Sequence, residues 1–376
     1  MIYYTLTILR THFALEGEKY VLIDDISEKA DVGLQPTFGW EPLGALATRG
    51  GADYLFQLDL ELQQRMASLI DDVPSTPLPT ILNFRDVGQT INTLQRTHVL
   101  REGLIYRSAR LDDASSSDRS ALTSRYGIKS IIDLRSTNEH LNQAKKRDAN
   151  AKISASTIVP KNDEKAADVV KIPGIDYHEI NLNGGAFAKA LLWKLRWSSL
   201  TKLVSLMAIG YRNEAISILG TEVMAPKGLI GLGKETLDHS FAELHRVFSV
   251  IADAANYPIL IHCTQGKDRT GLVVMLLLLL LDVTVEPINA DYMASERELE
   301  SEKEARMKEI TAIGLNVEFA GCPKGFVEEM VRHINEKYGN LGGYLNGKVG
   351  LDPEVQKKIR TKLRANSVDK ISVTVD

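Results

Sequence analysis

His262-Cys263-Thr264-Gln265-Gly266-Lys267-Asp268-Arg269-Thr270-Gly271 lies between two apolar runs of different kinds. Upstream, Ile259-Leu260-Ile261 follows Pro258 and reads as a short buried strand. Downstream, the stretch from Arg269 to about Leu281 reads as a helix that is apolar nearly all round, and hence buried. Its unbroken apolar run, Leu272–Leu281, is too short to cross a bilayer, which needs about 18 residues. The segment thus puts a cysteine at a strand end, Gly266 in a short loop, and an arginine at the opening of a helix.

That arrangement suits a tetrahedral dianion. The backbone N–H groups of Thr264, Gln265, Gly266 and Lys267 can form an anion-binding nest. The helix N-terminus adds free donors and the positive end of its dipole. Arg269 can hold two phosphate oxygens at once through its planar fork. Cys263 faces the same positive field, which favours its thiolate. A thiolate held under a phosphoryl group can displace the leaving group in line. Thr270 can donate a hydrogen bond to that sulfur when it leaves in the second step, and His262 can orient the loop. A lone cysteine is more often an inert small hydrophobe. The joint pattern of His-Cys, five spacers, Arg, Thr and Gly, however, arises by chance on the order of 10⁻⁴ per chain. It also stands in the strand–loop–helix context it requires. No second Cys/His pair completes a metal site beside His262 and Cys263, so no metal is expected.

Outward from the loop, Ile128–Leu134 and Ile175–Leu182 read as strands, as do Ile153–Pro160 and Met1–Leu9. Lys189–Met207 reads as a helix broken near Ser198-Ser199. Leu237, Phe241, Leu244, Phe248 and Ile251 share one face of a further helix. Helices also fit Ile288–Ile310, Lys324–Tyr338 and Pro353–Ala365. Strands followed by helices predict an α/β fold with a central, largely parallel sheet flanked by helices.

The 376 residues include 45 Lys+Arg and 49 Asp+Glu, a formal net charge of −4. A general nucleic-acid binder would carry a basic excess. Two cysteines, Cys263 and Cys322, build neither a disulfide scaffold nor a four-cysteine zinc site. Cys322 has no motif and reads as a buried hydrophobe. Met1–Leu9 lacks the basic start and cleavage site of a signal peptide, so the cytoplasm is the expected compartment. The Gly- and Pro-rich stretch 32–54 reads as loop, and DVPSTPLPT (72–80) as a linker. The expected organisation is an N-terminal extension over 1–75, the domain carrying the loop over 76–366, and a tail over 367–376.

HCTQGKDRTG resembles the signature loop of cysteine-dependent phosphatases. Together with NFRDVG (83–88), GLIYRSARL (103–111), DLRS (133–136) and INADYMASERELE (288–300), it is similar to the microbial tyrosine-protein phosphatase family, the atypical tyrosine/serine and dual-specificity group. The resemblance covers about 80–365, is loose across 141–235, and assigns nothing to 1–75. It implies the cysteine-phosphatase type of α/β fold and hydrolysis of phosphate monoesters through a cysteinyl-phosphate, without a cofactor. Cys263 is then the nucleophile, Arg269 the phosphate clamp and Thr270 the donor to the sulfur. Thr264, Gln265, Gly266 and Lys267 form the phosphate-binding loop. Phosphotyrosine protein is the first substrate expected, with a phosphoinositide or dual-specificity phosphoprotein as the alternative. A non-catalytic phosphate-binding adaptor, or a redox enzyme sharing the loop, is a third reading. The intact Cys263 and Arg269 argue against the adaptor, and the redox enzyme has only Cys322 as a partner thiol.

Phosphotyrosine hydrolysis also needs an acid for the leaving oxygen and a base for water. Many cysteine phosphatases carry that Asp after Trp-Pro on a mobile loop, and Trp40, Trp193 and Trp197 stand in no such motif. The resemblance implies Asp268 as the acid. Asp133, at the C-terminal end of a predicted strand, is the second candidate, and Asp86 reads as structural. Lys267 adds a second cation to the loop, similar to the basic loops of phosphoinositide phosphatases. Arg107 and Arg110 are expected in surface salt bridges. The Glu/Lys run 295–309 reads as a solvated helix face.

Overall fold

The computed structural model describes residues 49–154 and 171–365, with the short pairs 15–16 and 19–20. The chain divides into two compact units, Met1–Asp59 and Leu60–Asp376. In the first, Leu15–Glu16 pairs antiparallel with Lys19–Tyr20, and helix α1 (Arg49–Asp72) begins. Gly50 and Gly51, read as loop, therefore lie in a helix. The predicted strand Met1–Leu9 lies outside the described residues.

The second unit holds one five-stranded sheet. Its strands are β1 (Arg85–Asp86), β2 (Ile105–Ser108), β3 (Ser130–Asp133), β4 (Asp176–Glu179) and β5 (Ile259–His262), in spatial order β1-β2-β5-β3-β4. Only β1 runs antiparallel to its neighbour. This is the expected α/β fold with a largely parallel sheet. Ser108 and Asp133 pair with His262, and Glu179 with Asp133, so four strands end level at one edge. Open parallel sheets place their sites at that edge.

The helices that follow are α2 (Val87–Gln95), α3 (Ser116–Ser124), α4 (Thr137–Ser154), α5 (Gly185–Leu192), α6 (Trp197–Ala208), α7 (Arg212–Leu219) and α8 (Ala225–His239). They continue with α9 (Phe241–Ala252), α10 (Asp268–Leu280), α11 (Val285–Glu298), α12 (Lys303–Ala312), α13 (Phe326–Tyr338), α14 (Leu341–Gly347) and α15 (Pro353–Leu363). Successive residues of β5 face opposite sides of the sheet. Ile259 and Ile261 join the larger core, with α9, α10 and α13, while Leu260 joins Phe84, Tyr106, Leu122 and Ile131 in the smaller one. Helix α10 is buried almost all round because it lies within the larger core, which accounts for its unbroken leucines.

Several boundaries differ from the sequence reading. Leu237, Leu244, Phe248 and Ile251 are fully buried on one face, but Ser240 (φ −115°, ψ 31°) separates α8 from α9 beneath them. Leu299 (φ −107°, ψ 3°) likewise divides the predicted helix Ile288–Ile310. The break in 189–207 falls between Leu192 and Trp197. Ser199 is buried inside α6 and donates to Glu222 Oε1 at 2.7 Å. Ile153 and Ser154 close α4, and the rest of that predicted strand lies outside the described residues. Strands β1 and β2 carry Arg85, Asp86 and Arg107 within two- and four-residue spans, so no apolar run announces them. Among the described residues one helical run, Glu214–His239, is long and apolar enough to cross a membrane by length and composition. It turns at Gly228 (φ 61°, ψ −178°).

Candidate active site

Cys263 leaves the end of β5, almost wholly buried, and the loop turns over the end of β2. Gly266 makes that turn at φ 64°, where a Cβ would stand 2.1 Å from the Ser108 carbonyl oxygen. Any side chain there would drive the loop off the sheet. Asn83 Nδ2 donates to the carbonyl oxygens of Gln265 at 3.0 Å and Gly266 at 3.1 Å. Arg107 Nη2 donates to the Gly266 oxygen at 2.6 Å. With the carbonyls held from below, the N–H groups of Thr264, Gln265, Gly266 and Lys267 donate to no acceptor among the described residues. The first-turn N–H groups of α10 are free by helix geometry. These N–H groups are therefore available to an anion.

Its underpinning is ionic and deeply buried. Arg107, expected at the surface, is fully buried. The surface reading fails because β2 carries Arg107 under the loop, where its guanidinium meets the Gly266 carbonyl and Asp291. Asp291 also accepts from Arg85 Nε at 2.7 Å, and Arg85 in turn pairs with Asn83 Oδ1. Burial alone would raise the Asp291 carboxyl, but Arg107 and Arg85 hold it below its usual range. Two guanidiniums against one carboxylate leave net positive charge under the nest. Arg110 does make the expected salt bridges, to Glu302 at 2.6 Å and to Asp113 at 3.2 Å. Its backbone N–H also donates to the Thr264 oxygen at 3.1 Å.

Arg269 opens α10 and is gripped by Glu139, a residue the sequence reading left without a role. Its Nη1 donates to Glu139 Oε2 at 2.8 Å and Nη2 to Oε1 at 2.6 Å. Nη1 also reaches the Leu134 oxygen at 3.2 Å, and Nη2 has a longer contact, 3.4 Å, with Thr264 Oγ1. Of the five guanidinium N–H groups, Nε–H alone has no partner among the described residues. Thr264 Oγ1 donates to Glu139 as well. Burial would raise the Glu139 carboxyl, but its bonds to Arg269, Ser136 and Thr264 hold it far below the usual range. The sequence does hold a signal for Glu139. Ser136-Thr137-Asn138-Glu139 is a capping box, and Ser136 N–H donates to Glu139 Oε2 at 2.9 Å at the start of α4.

The other expected residues separate by burial. Thr270 is fully buried and its hydroxyl has no hydrogen-bond partner among the described residues. Asp268 is partly exposed, accepts from the Tyr292 hydroxyl at 3.3 Å, and lies 3.7 Å from Lys267 Nζ. Lys267 turns inward, so its ammonium is buried and donates to the Gly321 oxygen at 2.6 Å. Its contribution at the loop is therefore its backbone N–H. Asp133 is buried between Arg135, at 2.7 Å, and His262, at 3.4 Å. Burial would raise its carboxyl, but His262 and Arg135 bring it down to about 2. A carboxylate so held is ionised and has no proton to give. His262 is buried, which pushes its pKa down. Its Nδ1 stands 3.1 Å from the Cys263 carbonyl oxygen and its Nε2 faces the Asp133 carboxylate, so both ring nitrogens meet groups that only accept. Asp86 is structural, capping α2 through the N–H groups of Gly88 and Gln89. Cys322 is a buried thiol, pushed up to about 12 by desolvation. Among the described residues no cluster of His, Cys, Asp and Glu could hold a metal ion.

The sequence profile described as the tyrosine phosphatase family matches residues 76–365. The chain belongs to this family. It is 28% identical over 284 residues to the triple specificity protein phosphatase PtpB of Mycobacterium tuberculosis, covering 71% of this chain and 91% of that protein. It is also 27% identical over 167 residues to a tyrosine-protein phosphatase of Nostoc commune, covering 40% and 56% respectively. This phosphatase is thus a phosphoric monoester hydrolase of the protein-tyrosine phosphatase class. The match includes the whole loop and every residue found beneath it. Asn83 and Asp291 lay in quoted motifs with no role assigned, because their partners are more than 180 residues away.

Proposed function

We propose that this phosphatase hydrolyses phosphotyrosine in proteins through a cysteinyl-phosphate on Cys263. The observation that carries the reading is a buried cysteine at the foot of unpartnered N–H groups, with Arg269 held beside them. A phosphate dianion takes the loop N–H groups and the free Nε–H of Arg269. It displaces the weak 3.4 Å contact of Thr264 to gain a second guanidinium bond. The Cys263 thiolate attacks phosphorus, and the phenolic oxygen leaves with a proton from Asp268. Water then attacks the phosphocysteine, gives its proton to Asp268, and expels the thiolate. The unpartnered Thr270 hydroxyl is free to donate to that sulfur.

The inward turn of Lys267 favours phosphotyrosine over a polyphosphorylated inositol ring, since its ammonium is spent on a carbonyl rather than offered to a second phosphate. The test is phosphate release from phosphotyrosine peptide, phosphoserine peptide and phosphoinositide, with Cys263→Ser beside wild type. Wild type should favour the phosphotyrosine peptide, the variant should bind without turnover, and rapid quench should find phosphate on Cys263. Turnover by Cys263→Ser, or a stronger preference for phosphoinositide, would overturn the proposal.

A further inference from the structure

Between Ile180 and Asn213 the chain has no Asp or Glu, yet it carries Lys189, Lys194, Arg196, Lys202 and Arg212. This basic stretch belongs to a protein of net charge −4. Lys194 pairs with Glu235 and Arg196 stands 3.8 Å from Glu222, while Lys189, Lys202 and Arg212 make no ion pair among the described residues. The stretch folds as α5 and α6 over a small core of its own, Phe187, Leu191, Leu195 and Val223. Its outer side is apolar. Trp193 and Trp197 are 65% and 73% exposed and meet edge to face at 6.4 Å. Along α6, Trp197, Val204 and Met207 follow one stripe at helical spacing, all exposed, and Ile209 and Tyr211 continue it.

Open tryptophans beside leucines and unpaired lysines are poorly placed in water. They are well placed at a bilayer surface, where indoles sit at headgroup level and lysines meet anionic lipid. We infer that α5 and α6 dock the phosphatase on an anionic bilayer surface. Charge decides between a bilayer and a protein groove as the occupant: a strip with no carboxylate of its own, and with Lys189, Lys202 and Arg212 outside any ion pair among the described residues, complements a sheet of negative headgroups. The strip also leaves the sheet where the chemistry lies. It follows β4, whose last residue, Glu179, is level with Asp133, itself level with His262. Docking by this strip therefore anchors the edge of the sheet that carries the catalytic loop.

The chain has three tryptophans and two of them lie in the strip, so intrinsic fluorescence reports on it directly. The full-length protein is mixed with vesicles of phosphatidylcholine alone or with about one third phosphatidylserine, then sedimented. Binding to the anionic vesicles only, with a blue shift and quenching by brominated lipid, is the expected result. Trp197→Ser should weaken partitioning about tenfold. Lys202→Gln should weaken it about fivefold. Neither residue touches the catalytic loop, so hydrolysis of a soluble aryl phosphate should persist in both variants and show that they are folded. Equal partitioning onto neutral vesicles, no partitioning, or full binding by Trp197→Ser overturns the inference. So does a dimer in gel filtration that Trp197→Ser dissociates while vesicles remain unbound, since the strip would then be a contact between two copies.

Discussion

Glu139→Gln asks whether a carboxylate holds the phosphate clamp ready. Glu139 now accepts from both terminal nitrogens of Arg269, from Thr264 and from Ser136, every one a donor. Glutamine keeps one acceptor oxygen and points an NH2 group at donors. At least one charged hydrogen bond is lost, worth about 1.5–3 kcal/mol. Glu139 is about one third exposed, so water recovers part of that and the lower end applies. At about 2–4 °C per kcal/mol, the melting temperature should fall by about 3–6 °C. Activity should fall further. Arg269 released from its two-point hold no longer waits in the geometry that the transition state needs. A loss of about 10–100-fold in kcat/KM is expected, mostly in kcat. Thermal melts, steady-state kinetics on an aryl phosphate and inhibition by inorganic phosphate measure the three consequences. Ser136→Ala is the control, because it weakens the cap of α4 without touching Arg269. If Glu139→Gln lowers the melting temperature but leaves kcat/KM within about twofold of wild type, Glu139 is a helix cap and the clamp argument is wrong.

Lys267→Ala should lower turnover of phosphotyrosine peptide and of any phosphoinositide substrate by the same factor, together with stability, because the buried ammonium serves Gly321. A loss confined to the polyphosphorylated ester would contradict this. Asp268→Asn should slow esters of poor leaving groups about 10²–10⁴-fold and a nitrophenyl ester far less. Equal losses would make Asp268 only a partner of Tyr292 and Lys267. Thr270→Val deletes a hydroxyl with no partner, so stability should hold while the second step slows about tenfold or more and a burst of phenolate appears. An unchanged kcat without a burst would remove Thr270 from the mechanism. Asp133 and Glu139 are ionised in the folded protein below their unfolded values, so stability from them is complete above about pH 5 and is lost as pH falls toward 2. For Asp133, 3.8 against about 2 is worth on the order of 2 kcal/mol, opposed in part by Asp86 and Glu328, whose carboxyls burial raises. Melting temperatures that rise from pH 5 to pH 3 would refute that balance.

The loop that carries Cys263 and Arg269 was legible because its pattern is local. Cys263, Gly266, Arg269 and Thr270 fall within eight consecutive residues, and strand, turn and helix propensities agree around them. The central sheet was legible where consecutive isoleucines and leucines mark the strand, as in β3 and β5, and illegible where arginines interrupt such a run, as in β1 and β2. Helix faces were legible and helix ends were not. The buried stripe through Leu237, Leu244 and Phe248 is a matter of spacing, but the bend at Ser240 comes from how two helices meet. Side-chain direction was the least legible. Nothing in Gly-Lys-Asp-Arg says that Lys267 turns inward while Arg269 faces Glu139.

The same point explains why the family motifs lie where they do. Loop N–H groups can bind a dianion only if the loop cannot turn them away, and that requires its carbonyls to be held from the other side. The holding groups cannot be local, because residues adjoining the loop share its motion. They come from Asn83 and Arg85 in NFRDVG, Arg107 in GLIYRSARL and Asp291 in INADYM. Asp133 in DLRS braces His262, whose ring meets the Cys263 carbonyl. These segments, separated by up to about 200 residues, therefore meet in one place: a loop whose carbonyls are held by a buried ionic floor. Asp133 and the Lys267 ammonium are likewise buried against protein partners. That leaves Asp268, partly exposed, as the carboxylate among the candidates that solvent reaches.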